Sequence, residues 1–160
     1  MDKDRINLDD TDRRILAILH ENARTAFTEI GRAVGLTSPA VKERVVRMEQ
    51  AGLIKSYRAD IDYAMLGRQI RALIMLKAKN YERLAERHGA AYASMLKDVK
   101  GVVRAWDVTG NVECIADVAV PTMKELDAAL VQFGALGFAT TTYLVLSDTG
   151  ELPATLDARG

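Results

Sequence analysis

A chain of 160 residues, 49% hydrophobic and 28% charged, has room for two compact units of unequal size, and its 22 basic residues balance 22 acidic ones. No apolar run approaches the roughly 18 residues of a membrane span, and the opening Met1-Asp2-Lys3-Asp4-Arg5 is charged with no apolar signal core behind it, so a cytoplasmic location is expected. Cys114 is the single cysteine and His20 and His88 the only histidines, so no cluster has metal-ligand spacing; a reduced protein without metal or cofactor is expected, with Cys114 a small core residue.

The first helix is expected over residues 10–21, where Ile15, Leu16 and Leu19 form an apolar stripe. A second helix brings Phe27, Ile30 and Val34 to the same core before Gly35-Leu36 turns the chain. Thr37 offers an N-cap hydroxyl to a third helix, Pro39 sits where a missing N–H has no consequence, and Gly52 ends the helix as a left-handed cap. On this third helix Val41, Val45 and Met48 share one stripe, while Pro39, Lys42, Glu43, Val46, Arg47 and Gln50 face the other way. A basic strand is expected over residues 55–59.

Three helices sharing one core, with a polar face held outward, have the layout of a winged-type helix-turn-helix. In that arrangement the third helix enters the major groove with its N-terminal residues at the base edges. Lys42, Arg44, Arg47, Lys55 and Arg58 outnumber Glu43 and Glu49 across this helix and strand on an otherwise neutral chain, as phosphate contact requires. The candidate DNA-binding residues are Ser38, Pro39, Lys42, Glu43 and Arg47, with Lys55 and Arg58 on phosphates.

Near Asp60 the helical spacing gives way to strand-like segments. The domains expected are 1–60, a linker at 61–67, a second unit at 68–153 and a tail at 154–160. In the second unit an apolar run at 70–76 precedes a helical stretch at 81–96 and a turn at 98–101. A hairpin follows, with strands at 102–109 and 113–120 around Gly110-Asn111. Pro121 opens a helix at 122–136 with Met123, Leu126, Leu130 and Phe133 on one face, and a strand at 140–146 closes the series. The order β-α-β-β-α-β makes this unit ferredoxin-like and the whole chain α+β. The face opposite the helices carries Ile74, Val108, Ile115 and Val118 or their neighbours, depending on register. An apolar open face calls for a second subunit, with the strands at 70–76 and 140–146 as the expected interface.

Together these pieces resemble the Lrp/AsnC (leucine-responsive, feast/famine) family of transcriptional regulators. The resemblance rests on Leu8-Asp9-Asp10-Thr11-Asp12-Arg13-Arg14-Ile15-Leu16, Arg24, Gly35-Leu36-Thr37, Val41, Arg44, Glu49 and Gly52-Leu53-Ile54-Lys55-Ser56-Tyr57. In the second unit it continues with Val108-Thr109-Gly110 and the strand from Thr140 to Leu146. It implies a DNA-binding domain joined to a domain that dimerises, often assembles into octamers, and binds a small effector, typically an amino acid, between subunits. Carried across residue by residue, the implied effector contacts are Gly110, Asn111 and Glu113, with Thr140 and Thr142. The chain departs from the family pattern at Asn111-Val112-Glu113-Cys114, where many members carry aspartates and aromatics. It departs again at Ala26, where a capping serine is common and Thr25 is the substitute at hand.

Two other readings compete with regulation. Sirohaem decarboxylases look like this family in both domains, but they carry histidine- and arginine-containing segments around the hairpin. Residues 104–108 hold Arg104 and no histidine. A partner-binding module that has lost DNA binding is the third class, and the basic third helix argues against it.

Overall fold

The computed structural model describes residues 6–80 and 90–147. The N-terminal residues 1–5, the expected helical stretch over 81–89, the end of the second unit from 148 and the expected tail lie outside the described residues. The chain divides into two compact units after Asp60.

The first unit is α1 (Asp10–Glu21), α2 (Phe27–Val34) and α3 (Ser38–Gln50) around one core. Ile15, Ile30, Val41 and Met48 are fully buried at its centre, and Phe27, Leu16 and Val34 pack around them. α1 opens on a reciprocal cap, in which the Asp9 carboxylate accepts from the Asp12 N–H and the Asp12 carboxylate from the Asp9 N–H. α2 opens on Ala26 with no side-chain cap, and Thr25 does not substitute, because its hydroxyl donates to the Asn22 carbonyl at 2.8 Å.

α3 is capped at both ends as its residues dictate. The Thr37 hydroxyl accepts from the Ala40 N–H at 3.4 Å, and Pro39 stands in the first turn. At the other end Gly52, at φ 72°, turns the chain so that its N–H reaches the Glu49 carbonyl at 2.9 Å and the Leu53 N–H reaches the Met48 carbonyl at 3.0 Å. These two bonds are a Schellman motif. The basic strand expected after the helix does not form: residues 55–60 join no ladder, and the described strands pair in one sheet of the second unit. The wing is therefore absent from the described residues, and helices alone build this unit.

The second unit contains β1 (Ile70–Ala78), α4 (Ala90–Leu96), β2 (Val102–Asp107), β3 (Cys114–Val120), α5 (Met123–Ala135) and β4 (Phe138–Leu144). The strands form one antiparallel sheet in the order β2-β3-β1-β4, the ferredoxin-like arrangement. Ala72, Ile74 and Leu76 of β1 pair with Val118, Ala116 and Cys114 of β3, and all six are fully buried in the core with Leu126, Ala129 and Phe133 of α5.

That register corrects the face assignment. Ile74 and Val118 lie on the helix-covered side, Val108 lies beyond the end of β2, and only Ile115 remains on the open side. Ile115 and Val118 stand three residues apart on one strand and so point to opposite faces, and the neighbours Leu73 and Met75 take the open side in place of Ile74. Three smaller corrections follow from packing. β4 begins at the buried Phe138, two residues before the expected start. The hairpin loop spans residues 108–113, closed by the Val108 N–H on the Glu113 carbonyl at 3.1 Å, and is longer than a two-residue turn. Met123 is 56% exposed because it opens α5, where side chains tilt toward the N-terminus and away from the packed stripe.

Candidate nucleic-acid interface

Burial of Val41, Val45 and Met48 turns the opposite side of α3 to solvent, so that Pro39, Lys42, Glu43 and Gln50 are exposed and Ser38 and Val46 half-buried. Lys55 and Arg58 are exposed on the chain that follows. Tyr57 anchors this chain by donating its hydroxyl to Glu49 of α3 at 2.7 Å. Burial first and the Glu49 bond second push the Tyr57 pKa up to about 12, so the tyrosine stays a neutral donor.

Arg47 departs from the sequence expectation. Its guanidinium donates to Asp12 of α1 at 2.5 Å, while Arg44 donates to Asp12 at 2.8 Å and to Asp9 at 2.6 Å. Both arginines are drawn to the flank of α3 facing the start of α1. The Asp12 N–H, with Arg44 next, holds the Asp9 carboxyl below the usual carboxylate range, and the two aspartates raise Arg44 above its ordinary value. Of the expected DNA-binding residues, the structure thus brings Ser38, Pro39, Lys42 and Glu43 together on the outward face and ties Arg47 to a carboxylate. Sequence reasoning missed Asp12 as the partner. The available signal was an aspartate three residues after an aspartate N-cap, facing two arginines spaced i, i+3 on a later helix.

The expected effector residues are only partly gathered. Gly110, at φ 144°, and Asn111 are exposed at the hairpin tip. Glu113 instead closes the end of β1: its carboxylate accepts from the Ala78 N–H at 2.6 Å and its own N–H donates to the Leu76 carbonyl at 3.0 Å. Thr140 and Thr142, paired with Leu76 and Ile74, lie half-buried on the helix side of β4. Cys114 is fully buried beneath the hairpin, and burial, then the nearby Asp107 charge, push its thiol up to about 11.

The sheet face away from the helices carries Leu73, Met75, Trp106, Ile115 and Tyr143, of which Tyr143 is 53% exposed. Arg71 makes a two-pronged bond to Asp117 within it, at 3.1 and 2.9 Å.

Residues 8–49 match the AsnC-type helix-turn-helix domain. HTH-type transcriptional regulator Rv2324 of Mycobacterium tuberculosis is 39% identical over 77% of this chain and 80% of its own length. The chain belongs to the Lrp/AsnC family of transcriptional regulators. Among solved structures, AsnC of E. coli shares the fold of this Lrp/AsnC chain at a TM-score of 0.75 and 26% identity, over 91% of this chain and 97% of its own. The transcriptional regulator NMB0573 of Neisseria meningitidis, solved as a complex with L-Met, superposes at 0.76 and 21% identity over 91% and 94%. No helix among the described residues is long and apolar enough to cross a membrane.

Proposed function

We propose that this Lrp/AsnC chain is a cytoplasmic, non-enzymatic regulator that binds double-stranded DNA as a homodimer and responds to an amino acid. The observation that carries the reading is the outward face of α3, where Ser38, Pro39, Lys42 and Glu43 gather at the end that enters a major groove. Lys55 and Arg58 add phosphate contacts. Duplexes selected by the protein from random-sequence DNA provide the test. Lys42→Ala is expected to weaken binding about tenfold and change the preferred sequence, and unchanged affinity in the folded variant refutes the assignment.

The dimer forms through the open sheet faces, since Leu73, Met75, Trp106, Ile115 and Tyr143 give each copy an apolar surface that a second copy covers in kind. Two reading heads on one body then match a two-fold operator. Sedimentation is expected to show a dimer, or an octamer built from dimers, and Tyr143→Asp a monomer. A wild-type monomer at micromolar concentration refutes it.

The effector sits at the hairpin tip, where Gly110 and Asn111 offer backbone N–H groups to a carboxylate. The L-Met complex of the Neisseria relative supports an amino acid as its class. Glu113 supplies a counter-charge only in addition to its bond with Ala78, and Thr140 and Thr142 contribute hydroxyls from β4. Glu113→Gln separates the two roles, since the amide oxygen still accepts from the Ala78 N–H while the charge is gone. Calorimetry with a panel of amino acids is expected to show weaker binding to this variant at nearly unchanged stability. No heat with any amino acid refutes an amino-acid effector. The sirohaem alternative loses support from its one candidate cation, because the Arg104 guanidinium lies over the Trp106 ring at 4.8 Å.

A further inference from the structure

Asp12 is fully buried in the three-helix unit, and both of its carboxylate oxygens are occupied. Oδ1 accepts from Arg44 at 2.8 Å, and Oδ2 from Arg47 at 2.5 Å and from the Asp9 N–H at 3.1 Å. Asp9, at the rim, takes the same Arg44 nitrogen at 2.6 Å. Two of the five cations between residues 42 and 58 are therefore turned back into the protein. Lys42, Lys55 and Arg58 make no ion pair among the described residues.

A guanidinium held this way is not simply a spare phosphate ligand. Leaving Asp12 for DNA strands a buried carboxylate, and an uncompensated buried charge is strongly unfavourable. Non-specific DNA affinity is almost wholly electrostatic and grows with each phosphate neutralised, whereas sequence is read at base edges. A regulator that must find few sites among many gains selectivity when its recognition helix carries cations that do not answer to every phosphate.

We propose that Asp12 is a positioning residue for operator selection: it locks α3 onto α1 and withholds Arg44 and Arg47 from the DNA backbone. The inference rests on the DNA-binding reading. Arg47, with half of its side chain exposed, is the cation freed when the restraint is removed.

The test is Asp12→Asn in the full chain. The substitution keeps the shape and one acceptor oxygen but carries no charge. Binding is measured against salt on a mixed-sequence duplex and on a duplex selected by the wild type. The folded variant is expected to bind the mixed sequence more tightly, with a plot of log affinity against log salt steeper by about 1 to 2. Its preference for the selected duplex is expected to fall. Adding Arg47→Ala to Asp12→Asn is expected to reverse about one unit of that slope. A merely structural role predicts weaker binding to both duplexes at an unchanged slope, and that result overturns the proposal. Arg44→Ala in the otherwise wild-type chain keeps the question open to test if Asp12→Asn does not fold. An unchanged slope supports withholding, and a slope shallower by about 1 shows Arg44 already on phosphate and overturns it. A wild type without salt-dependent DNA binding refutes the DNA reading itself, a result distinct from failure of the variants.

Discussion

Replacing Gly31 with alanine sets two sizeable effects against each other. Gly31 is buried in α2, and a Cβ there meets the Leu36 carbonyl oxygen at 2.5 Å, with the Leu36 carbonyl carbon at 3.5 Å and Ser38 N at 3.6 Å behind it. Alanine in a helix interior gains about 0.5–1 kcal/mol over glycine, whereas forcing an extra carbon into a packed site costs about 1–3 kcal/mol. The obstacle decides the sign. It is backbone, held in place by the Leu36 N–H bond to the Gly31 carbonyl at 2.9 Å and by the start of α3 immediately after it. A net loss of about 1–2 kcal/mol is expected, which lowers the melting temperature of a unit this small by roughly 5–15 °C. Relief of the clash moves Leu36 and with it the N-terminal end of α3, so DNA affinity falls even where the variant is folded. Gly35→Ala is the control: its Cβ meets nothing within 4 Å, but φ is 77°, so it carries only the left-handed backbone penalty of about 1–2 kcal/mol. Circular-dichroism melts and duplex binding at a temperature where both variants are folded check the two outcomes. A Gly31→Ala melt at or above the wild type, or equal losses of DNA affinity in the two variants, refutes the reasoning.

Ala26→Ser is expected to stabilise the first unit by about 1 kcal/mol, because the N-cap backbone of α2 is already extended and Glu29 stands at N3 to complete a capping box; a raised urea midpoint at constant slope is the readout. Cys114, pushed up to about 11, carries roughly two hundredfold less thiolate at pH 8 than the same residue in an unfolded chain. Its raised pKa leaves stability unaffected below the unfolded value of about 8.5 and lowers it as pH rises from there toward 11. Labelling by a disulfide reagent should therefore await unfolding, and rapid reaction of the native protein contradicts this. Arg71→Ala leaves the Asp117 carboxylate, 5% exposed, without its two-pronged partner and is expected to cost about 2–3 kcal/mol. Arg71→Met combined with Asp117→Leu should recover most of that loss in chemical denaturation.

Periodicity and local capping made most of the fold legible. The bounds of α1, the Thr37 and Gly52 limits of α3 and the β-α-β-β-α-β order all depend on residues within a few positions of one another. Long-range pairing was the part that sequence could not reveal. Whether Ile74 faced helices or solvent depended on its alignment with Ala116, 42 positions away, and composition at either strand is compatible with both faces. Arg47 read as an outward cation because helical phase places it on a flank, and phase is silent about Asp12 on another helix. Glu113 enters as an effector contact implied by the resemblance, and nothing in its own stretch of sequence points to the Ala78 N–H at the end of β1 that its carboxylate accepts from.

Asp12 and Asp117 are the buried charged residues among those described, and each lies beside a surface assigned here to a macromolecular partner. Ion pairs of this kind are poor sources of stability, since apolar residues of similar volume often serve a core as well or better. Their value lies in geometry. Two arginines converging on Asp12 fix how α3 lies on α1, and the two-pronged Arg71–Asp117 pair fixes where a buried charge stands on the sheet face that carries Leu73, Ile115 and Tyr143. The polar residues therefore discriminate among packings that the apolar residues alone would accept, which is why the seat of α3 on α1 and the proposed subunit face each hold a buried carboxylate paired with arginine.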